Sequence, residues 1–235
     1  MAKLYGIGVG PGDPELMTLK AVRLISESDV IVLPSSGQTT NVAYTIAAGA
    51  VPEIKKKNLL ELEMPMTRNH EILEKSHKNA ATQIGKLLEN GKTVSFLTLG
   101  DPTIYSTYCY VHDRVKELGY DAEIIPGIPS FCAAAARLGI SLTEASETLC
   151  IIPSSYDIRS AAMEIKGTKV LMKSGKSIGD LKKELVNNNE RWEVKMVERC
   201  GMEGERVFTS AEEIPDESSY FSTVIVKEKI EDKNI

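Results

Sequence analysis

The chain has 235 residues, a formal net charge of −5 at neutral pH and four cysteines. That length can bury roughly 70% of the unfolded surface as one large domain or two small ones, so stability requires neither a metal nor disulfides. The acidic balance excludes a broad nucleic-acid-binding face, which needs clustered Lys and Arg, and no apolar run reaches the ~20 residues that span a bilayer.

Cys109, Cys132, Cys150 and Cys200 lie far apart with no Cys-x-x-Cys pair, which predicts reduced core thiols and a cytoplasmic protein. The first residues lack a signal-peptide pattern. From Lys3 to Val9 an apolar strand carries Gly6 and Gly8, where another backbone or a ligand can approach. Asp13 is a good N-cap, Pro14 suits a first helical turn, and a helix is expected from there to about Ser26 on the apolar positions Leu16, Leu19, Val22, Leu24 and Ile25. A strand from Asp29 to Leu33 is expected to end at Pro34. The polar loop Pro34 to Thr40 then leads to a helix capped by Asn41 and running through Ala50.

Leu59 to Met64 alternates as a strand, and Met66 to His70 forms a loop at its carboxyl end. A long polar helix follows to Asn90, with His70 and His77 on one face as solvated or cleft-lining residues. The apolar run Val94 to Leu99 reads as a buried strand, with Gly100 releasing the backbone and Asp101-Pro102 starting a helix that continues to about Leu118. Asp121 to Ile125 is the next strand. Pro126-Gly127-Ile128-Pro129-Ser130 turns into a helix Phe131 to Leu138, whose four alanines allow close packing.

The domain change is expected between Ile125 and Glu147, with domains at 1–125 and 126–235. The second half reads as strands at 149–152, 168–173, 193–199, 206–209 and 220–229, with helices near 157–166 and 177–188. Cys200 to Glu205 forms a short hairpin turn, and the tail after Ile230 is loose. The fold class is α/β, mostly parallel in the first domain and mixed in the second.

In such sheets ligands sit at the carboxyl ends of strands, so Gly8-Val9-Gly10-Pro11-Gly12-Asp13-Pro14 and Leu99-Gly100-Asp101-Pro102 suggest one site. Gly6-x-Gly8 also matches the first two glycines of a dinucleotide fingerprint, with Asp29 where a ribose-binding carboxylate is sought, but the third glycine position is Pro11. An acidic residue two before the glycines, as in Rossmann methyltransferases, is Leu4 instead. No junction carries the reaching lysine of a phosphate loop. Exposed amides at a helix start suit a carboxylate or a zwitterion.

Those two segments, followed by Pro126-Gly127-Ile128-Pro129-Ser130, resemble in order and spacing the three N-terminal motifs of the tetrapyrrole (corrin/porphyrin) methylases. Val170-Leu171-Met172-Lys173, Glu198-Arg199-Cys200 and Ser222-Thr223-Val224 extend the resemblance along the chain. Pro129 departs from it, since the family pattern has serine there. Leu62 to Asn69, Phe96 to Ser106 and Ser130 to Leu142 are similar to the branch that methylates carbon 20 of precorrin-2 or cobalt-factor II in cobalamin biosynthesis.

The resemblance implies two α/β domains, a homodimer, and S-adenosylmethionine bound in the cleft between the domains and leaving as S-adenosylhomocysteine. It assigns the cofactor to Pro11, Leu99, Gly100, Asp101, Ile104, Ser130, Phe131, Met172, Arg199, Thr223 and Val224. A tetrapyrrole edged with carboxylates calls for cations, and Arg68, Arg137 and Lys173 are candidates. Asp101 is a candidate base for the proton on carbon 20. No protein-bound metal, nucleic-acid partner or membrane partner is expected. Alternatives are a same-fold enzyme acting on another corrinoid position, ribosomal RNA or a protein side chain, a nicotinamide oxidoreductase, and a noncatalytic ligand sensor.

Overall fold

A computed structural model describes residues 2–35, 41–153 and 163–229. The chain divides into two compact units, 1–129 and 130–235.

In the first unit, β1 (Leu4–Gly8), β2 (Val30–Ser35), β3 (Asn58–Glu63), β4 (Val94–Thr98) and β5 (Ala122–Ile125) form one sheet in the order β3-β2-β4-β1-β5. All of its pairings are parallel. Every residue of β4 is buried, as the uninterrupted apolar run requires of a central strand covered on both faces. The strand β2 does not stop at Pro34 but runs to Ser35. Its pairing with β4 covers only Val30 to Val32, so Pro34 lies where β3 is the one ladder partner and a missing N–H is tolerated.

The helices are α1 (Leu19–Glu27), α2 (Val42–Ala50), α3 (His70–Glu89) and α4 (Tyr108–Glu117). The expected helix from Asp13 is two pieces. Asp13 caps a single 3-10 turn, Pro14–Leu16, by accepting from Glu15 N, and α1 starts anew with the Thr18 hydroxyl accepting from Ala21 N at 3.2 Å. Asn41 caps α2 and Asn69 caps α3 through their side-chain oxygens. The α3 residues Ala80, Ala81, Ile84 and Leu88 join Tyr108, Val111 and Val115 of α4, together with Leu4, Val94 and Phe96, in one core. His77 is buried and stacks on Tyr110 with ring centroids 5.0 Å apart; α4 covers that side of α3, which corrects the solvated or cleft-lining expectation for His77, while His70 is exposed.

In the second unit, α5 (Ser130–Leu138) precedes a sheet of β6 (Leu149–Pro153), β7 (Thr168–Met172), β8 (Trp192–Glu198), β9 (Arg206–Phe208) and β10 (Ser222–Glu228), ordered β6-β7-β10-β8-β9. Only β6 with β7 is parallel; β10 runs antiparallel to β7 and β8, and β9 to β8. The Cys200–Glu205 hairpin is present as expected. Helix α6 (Ile178–Asn187) contributes Ile178, Leu181 and Leu185 to a core with Ile152, Leu171, Trp192, Met196 and Val224. The alanines at 133, 134 and 135 are buried where α5 packs on β8 and β10. Most of the helix expected near 157–166, much of the loop after Pro34 and the tail after Ile230 lie outside the described residues. The four cysteines are free, but none is a core thiol: Cys132 is exposed and the others are half-buried.

Candidate active site

The connection from β1 leaves the sheet toward β2, whereas the connection from β4 leaves toward β5 on the other side of β1. The carboxyl ends of β1 and β4 are therefore a switch point, the position at which open parallel sheets bind ligands. Beyond the strands, Val9 N donates to Thr98 O at 2.9 Å, Gly10 N to Gly100 O at 3.2 Å and Gly100 N to Gly10 O at 2.8 Å. Gly10 and Gly100 have φ of +78° and +71°, the left-handed region that glycine enters without penalty. The third motif closes on the same point. A Cβ on Gly127 would lie 2.2 Å from Gly100 O, and one on Gly8 would lie 2.6 Å from both Gly100 O and Gly127 N.

Asp101 stands at the centre of this cluster and is 7% exposed. Its Oδ1 accepts from Thr103 N at 2.7 Å and from the Thr103 hydroxyl at 2.5 Å, and its Oδ2 accepts from Gly127 N at 2.9 Å. It does not cap a helix, which corrects the sequence reading. Residues 101–107 form turns, and α4 starts only at Tyr108. The carboxylate instead ties the second motif to the third, across 26 residues of chain. Tyr105, inside that turn, has φ +47°, a strained conformation for a bulky residue.

Gly6 serves packing. A Cβ there would lie 2.0 Å from the Tyr108 ring, and Tyr108 is fully buried with its hydroxyl 3.0 Å from His112 Nδ1. Burial pushes the Tyr108 phenol above and the His112 imidazole below their ordinary pKa values. With Gly6 under a ring, Gly8 under Gly127 and a 3-10 turn after the strand, this segment is not a dinucleotide loop.

Of the residues expected at the cofactor in this unit, Pro11, Gly100 and Asp101 are buried and Leu99 and Ile104 half-buried. Ile104 N donates to Asp101 O at 3.3 Å, so the turn holds both. Thr98, which ends β4, keeps a buried hydroxyl with no hydrogen-bond partner, the kind of atom that a polar ligand or water completes. Arg68 is exposed in the loop before α3.

The second unit gathers its own set. Thr223 on β10 is the cross-strand partner of Met172 on β7, and its hydroxyl lies 3.4 Å from that of Ser130 at the start of α5. Arg199 follows β8 directly with φ +53°, its N donating to Phe221 O at 2.9 Å and its Nε to Glu203 O at 2.6 Å. Lys173 follows β7 with φ +61°, its ammonium 5.6 Å from the Tyr220 ring centroid. Val224 points the other way, into the core, because strand side chains alternate, and its backbone is paired with Leu171 on one side and Met196 on the other. Phe131 is buried. Arg137 donates to Glu205 at 2.5 Å. Glu205 is held below the usual carboxylate range by Gly201 N–H and by Arg137, so Arg137 is engaged in fixing the hairpin turn.

A family model for the tetrapyrrole (corrin/porphyrin) methylases matches residues 3–215. The chain belongs to this family. A protein of Methanocaldococcus jannaschii named a probable cobalt-precorrin-2 C(20)-methyltransferase is 38% identical over 96% of each chain. The precorrin-2 C(20)-methyltransferase of a Sinorhizobium species is 28% identical, over 96% of this chain and 95% of that one. Among solved structures, uroporphyrin-III C-methyltransferase of Thermus thermophilus complexed with S-adenosylhomocysteine superposes with a TM-score of 0.67. It is 21% identical over 96% of this chain and 97% of that one, a likeness of fold.

The last of these motifs before β9 contains a buried carboxylate, Glu198, to which the sequence assigns no role. Glu198 ends β8, is 3% exposed, and accepts hydrogen bonds from Ser218, Ser219 and Arg206. The available signal was an acidic residue that continues the apolar alternation Trp192, Val194, Met196 in phase. Among the described residues no group of three or more His, Cys, Asp or Glu could hold a metal, and no helix is long and apolar enough to cross a membrane.

Proposed function

We propose that this protein is an S-adenosylmethionine-dependent C-methyltransferase acting on carbon 20 of precorrin-2 or cobalt-factor II in cobalamin biosynthesis. The observation that carries the reading is full-length similarity to proteins named for that reaction, in a chain whose three motif segments converge on one backbone cluster at a sheet switch point. Pro11, Leu99, Gly100, Asp101 and Ile104 of the first unit, and Ser130, Phe131, Met172, Arg199, Thr223 and Val224 of the second, are the residues we assign to the cofactor. The orphaned Thr98 hydroxyl beside Leu99 fits a ligand rich in polar groups.

Held by these residues, S-adenosylmethionine would supply an electrophilic methyl group for an electron-rich ring carbon. The chain's part is placement, which can contribute on the order of 7 to 11 kcal/mol. The Gly10–Gly100 bridge and Asp101 hold the wall of the site. With both of its oxygens engaged, Asp101 is assigned to positioning rather than to removing the carbon-20 proton.

Arg68 and Lys173 are the cations we assign to the carboxylates of the substrate. Cobalt, where present, belongs to the substrate. We extend the proposal to a cytoplasmic homodimer without nucleic-acid or membrane partners. Incubating the protein with labelled methyl donor and either precorrin-2 or cobalt-factor II, with the product read by mass spectrometry and NMR, tests the assignment. Label on carbon 20 is expected; label on neither compound removes the substrate assignment.

A further inference from the structure

We infer that Glu198 is a positioning residue for the second unit's cofactor-binding strand ends, locking the 218–221 segment and the Arg199 turn into one frame without touching the ligand. The inference rests on the cofactor role proposed for Arg199, Met172 and Thr223.

A carboxylate buried to this degree loses its hydration and is tolerated only when it is fully paired. Here the pairing is complete. Oε1 accepts from Ser219 N at 2.6 Å and from the Ser218 hydroxyl at 3.0 Å; Oε2 accepts from Arg206 Nε at 2.6 Å and Nη2 at 2.5 Å. In the sheet, Glu198 lies between Ser222 of β10 and Arg206 of β9, so one side chain joins β8, β9 and the chain entering β10.

Each bonded segment leads to an expected ligand contact. The residue after Glu198 is the left-handed Arg199, whose N–H is held by Phe221 O. Ser218 and Ser219 run into Tyr220, whose ring faces the Lys173 ammonium, and then through Phe221 to Thr223, opposite Met172. Gly175 admits this segment, since a Cβ on it would lie 2.6 Å from Ser219 O. The Ser222 hydroxyl, opposite Glu198 in the sheet, is buried with no hydrogen-bond partner.

The test compares wild type, Glu198→Gln and Glu198→Asp by titration calorimetry with S-adenosylhomocysteine and by steady-state kinetics, with circular dichroism as the check on folding. Glu198→Gln places an amide N–H against Ser219 N–H or Arg206. It is expected to weaken S-adenosylhomocysteine binding at least 10-fold while changing the tetrapyrrole KM by less than 2-fold, and Glu198→Asp is expected to recover part of the loss. Wild-type affinity in folded Glu198→Gln overturns the inference, as does an equal rise in both constants. If Glu198→Gln does not fold, Ser218→Ala and Arg206→Gln each remove part of the pairing. A 2- to 5-fold weakening in each supports the inference, and unchanged affinity in both overturns it. A wild-type protein that binds no S-adenosylhomocysteine instead overturns the cofactor reading itself.

Discussion

The first unit closes the ends of β1, β4 and β5 almost entirely with peptide groups: two glycines bridge each other, two more admit the third motif, and a single carboxylate ties it in. The second unit closes the ends of β8 and β10 with side chains, a buried Glu198 pairing with Arg206, Ser218 and Ser219. The difference follows from strand direction. Parallel strands all point their carboxyl ends to one edge, where their following loops must crowd past one another, and only residues without a Cβ allow that. Antiparallel neighbours bring a hairpin and a returning strand to the same edge, and the open row between them can hold an ion pair.

The largest expected effect tests the peptide-built end. Gly127→Ala puts a methyl 2.2 Å from Gly100 O, backbone that cannot swing aside. It should destabilise the first unit by about 3 kcal/mol, at the upper end for overpacking, in urea denaturation. A loss below ~1 kcal/mol would mean that the junction yields and the three motifs are not rigidly joined. Next is Asp101→Asn, which sets an amide N–H against Gly127 N–H or Thr103 N–H and should cost about 2 kcal/mol together with S-adenosylhomocysteine affinity. Full turnover with unchanged affinity would show that Asp101 neither positions nor serves as a base.

The side-chain-built end should instead respond to pH. Burial raises the Glu198 pKa, but the Ser219 N–H and Arg206 outweigh it and leave the group below its ordinary 4.5. A carboxyl depressed in the folded state adds stability above its unfolded value and loses it as pH falls through the folded value. Acid melting curves should therefore show the second unit weakening below pH 4.5, with that limb reduced in Glu198→Gln; identical limbs would place the acid sensitivity elsewhere.

Smaller effects separate capping and strain from the site. Thr18→Ala, which removes the true cap of α1, should cost about 1 kcal/mol in thermal unfolding. Asp13→Ala should cost less, because Asp13 caps a single turn. Tyr105→Gly should change stability by under ~1 kcal/mol, since relief of its left-handed backbone is offset by added freedom in the unfolded chain. A fall in turnover without a fall in stability would place the ring against the substrate, whereas parallel falls would make it a packing residue.

Periodicity and turn chemistry found nearly every strand of both sheets, because alternation and apolar runs follow directly from burial. They misplaced the starts of α1 and α4. Asp-Pro is a good helix opener in isolation, yet Asp13 uses its side chain on Glu15 and Asp101 divides its own between Thr103 and the distant Gly127, and the chain turns again before a helix forms. Arg137 read as a candidate cation for the substrate carboxylates, and only the fold brings Glu205, 68 residues away, to its guanidinium.

What the sequence determined by itself is the α/β class, the strand-end junctions and the family, since these rest on local pattern and motif order. Tertiary structure alone decided what the glycines and carboxylates do. Gly6 is spent on Tyr108, Gly8 on Gly127, Asp101 on Gly127, and Glu198 on the segment entering β10. Each is a contact between residues at least 20 positions apart, and a steric or hydrogen-bonding demand at that separation leaves no trace in local composition.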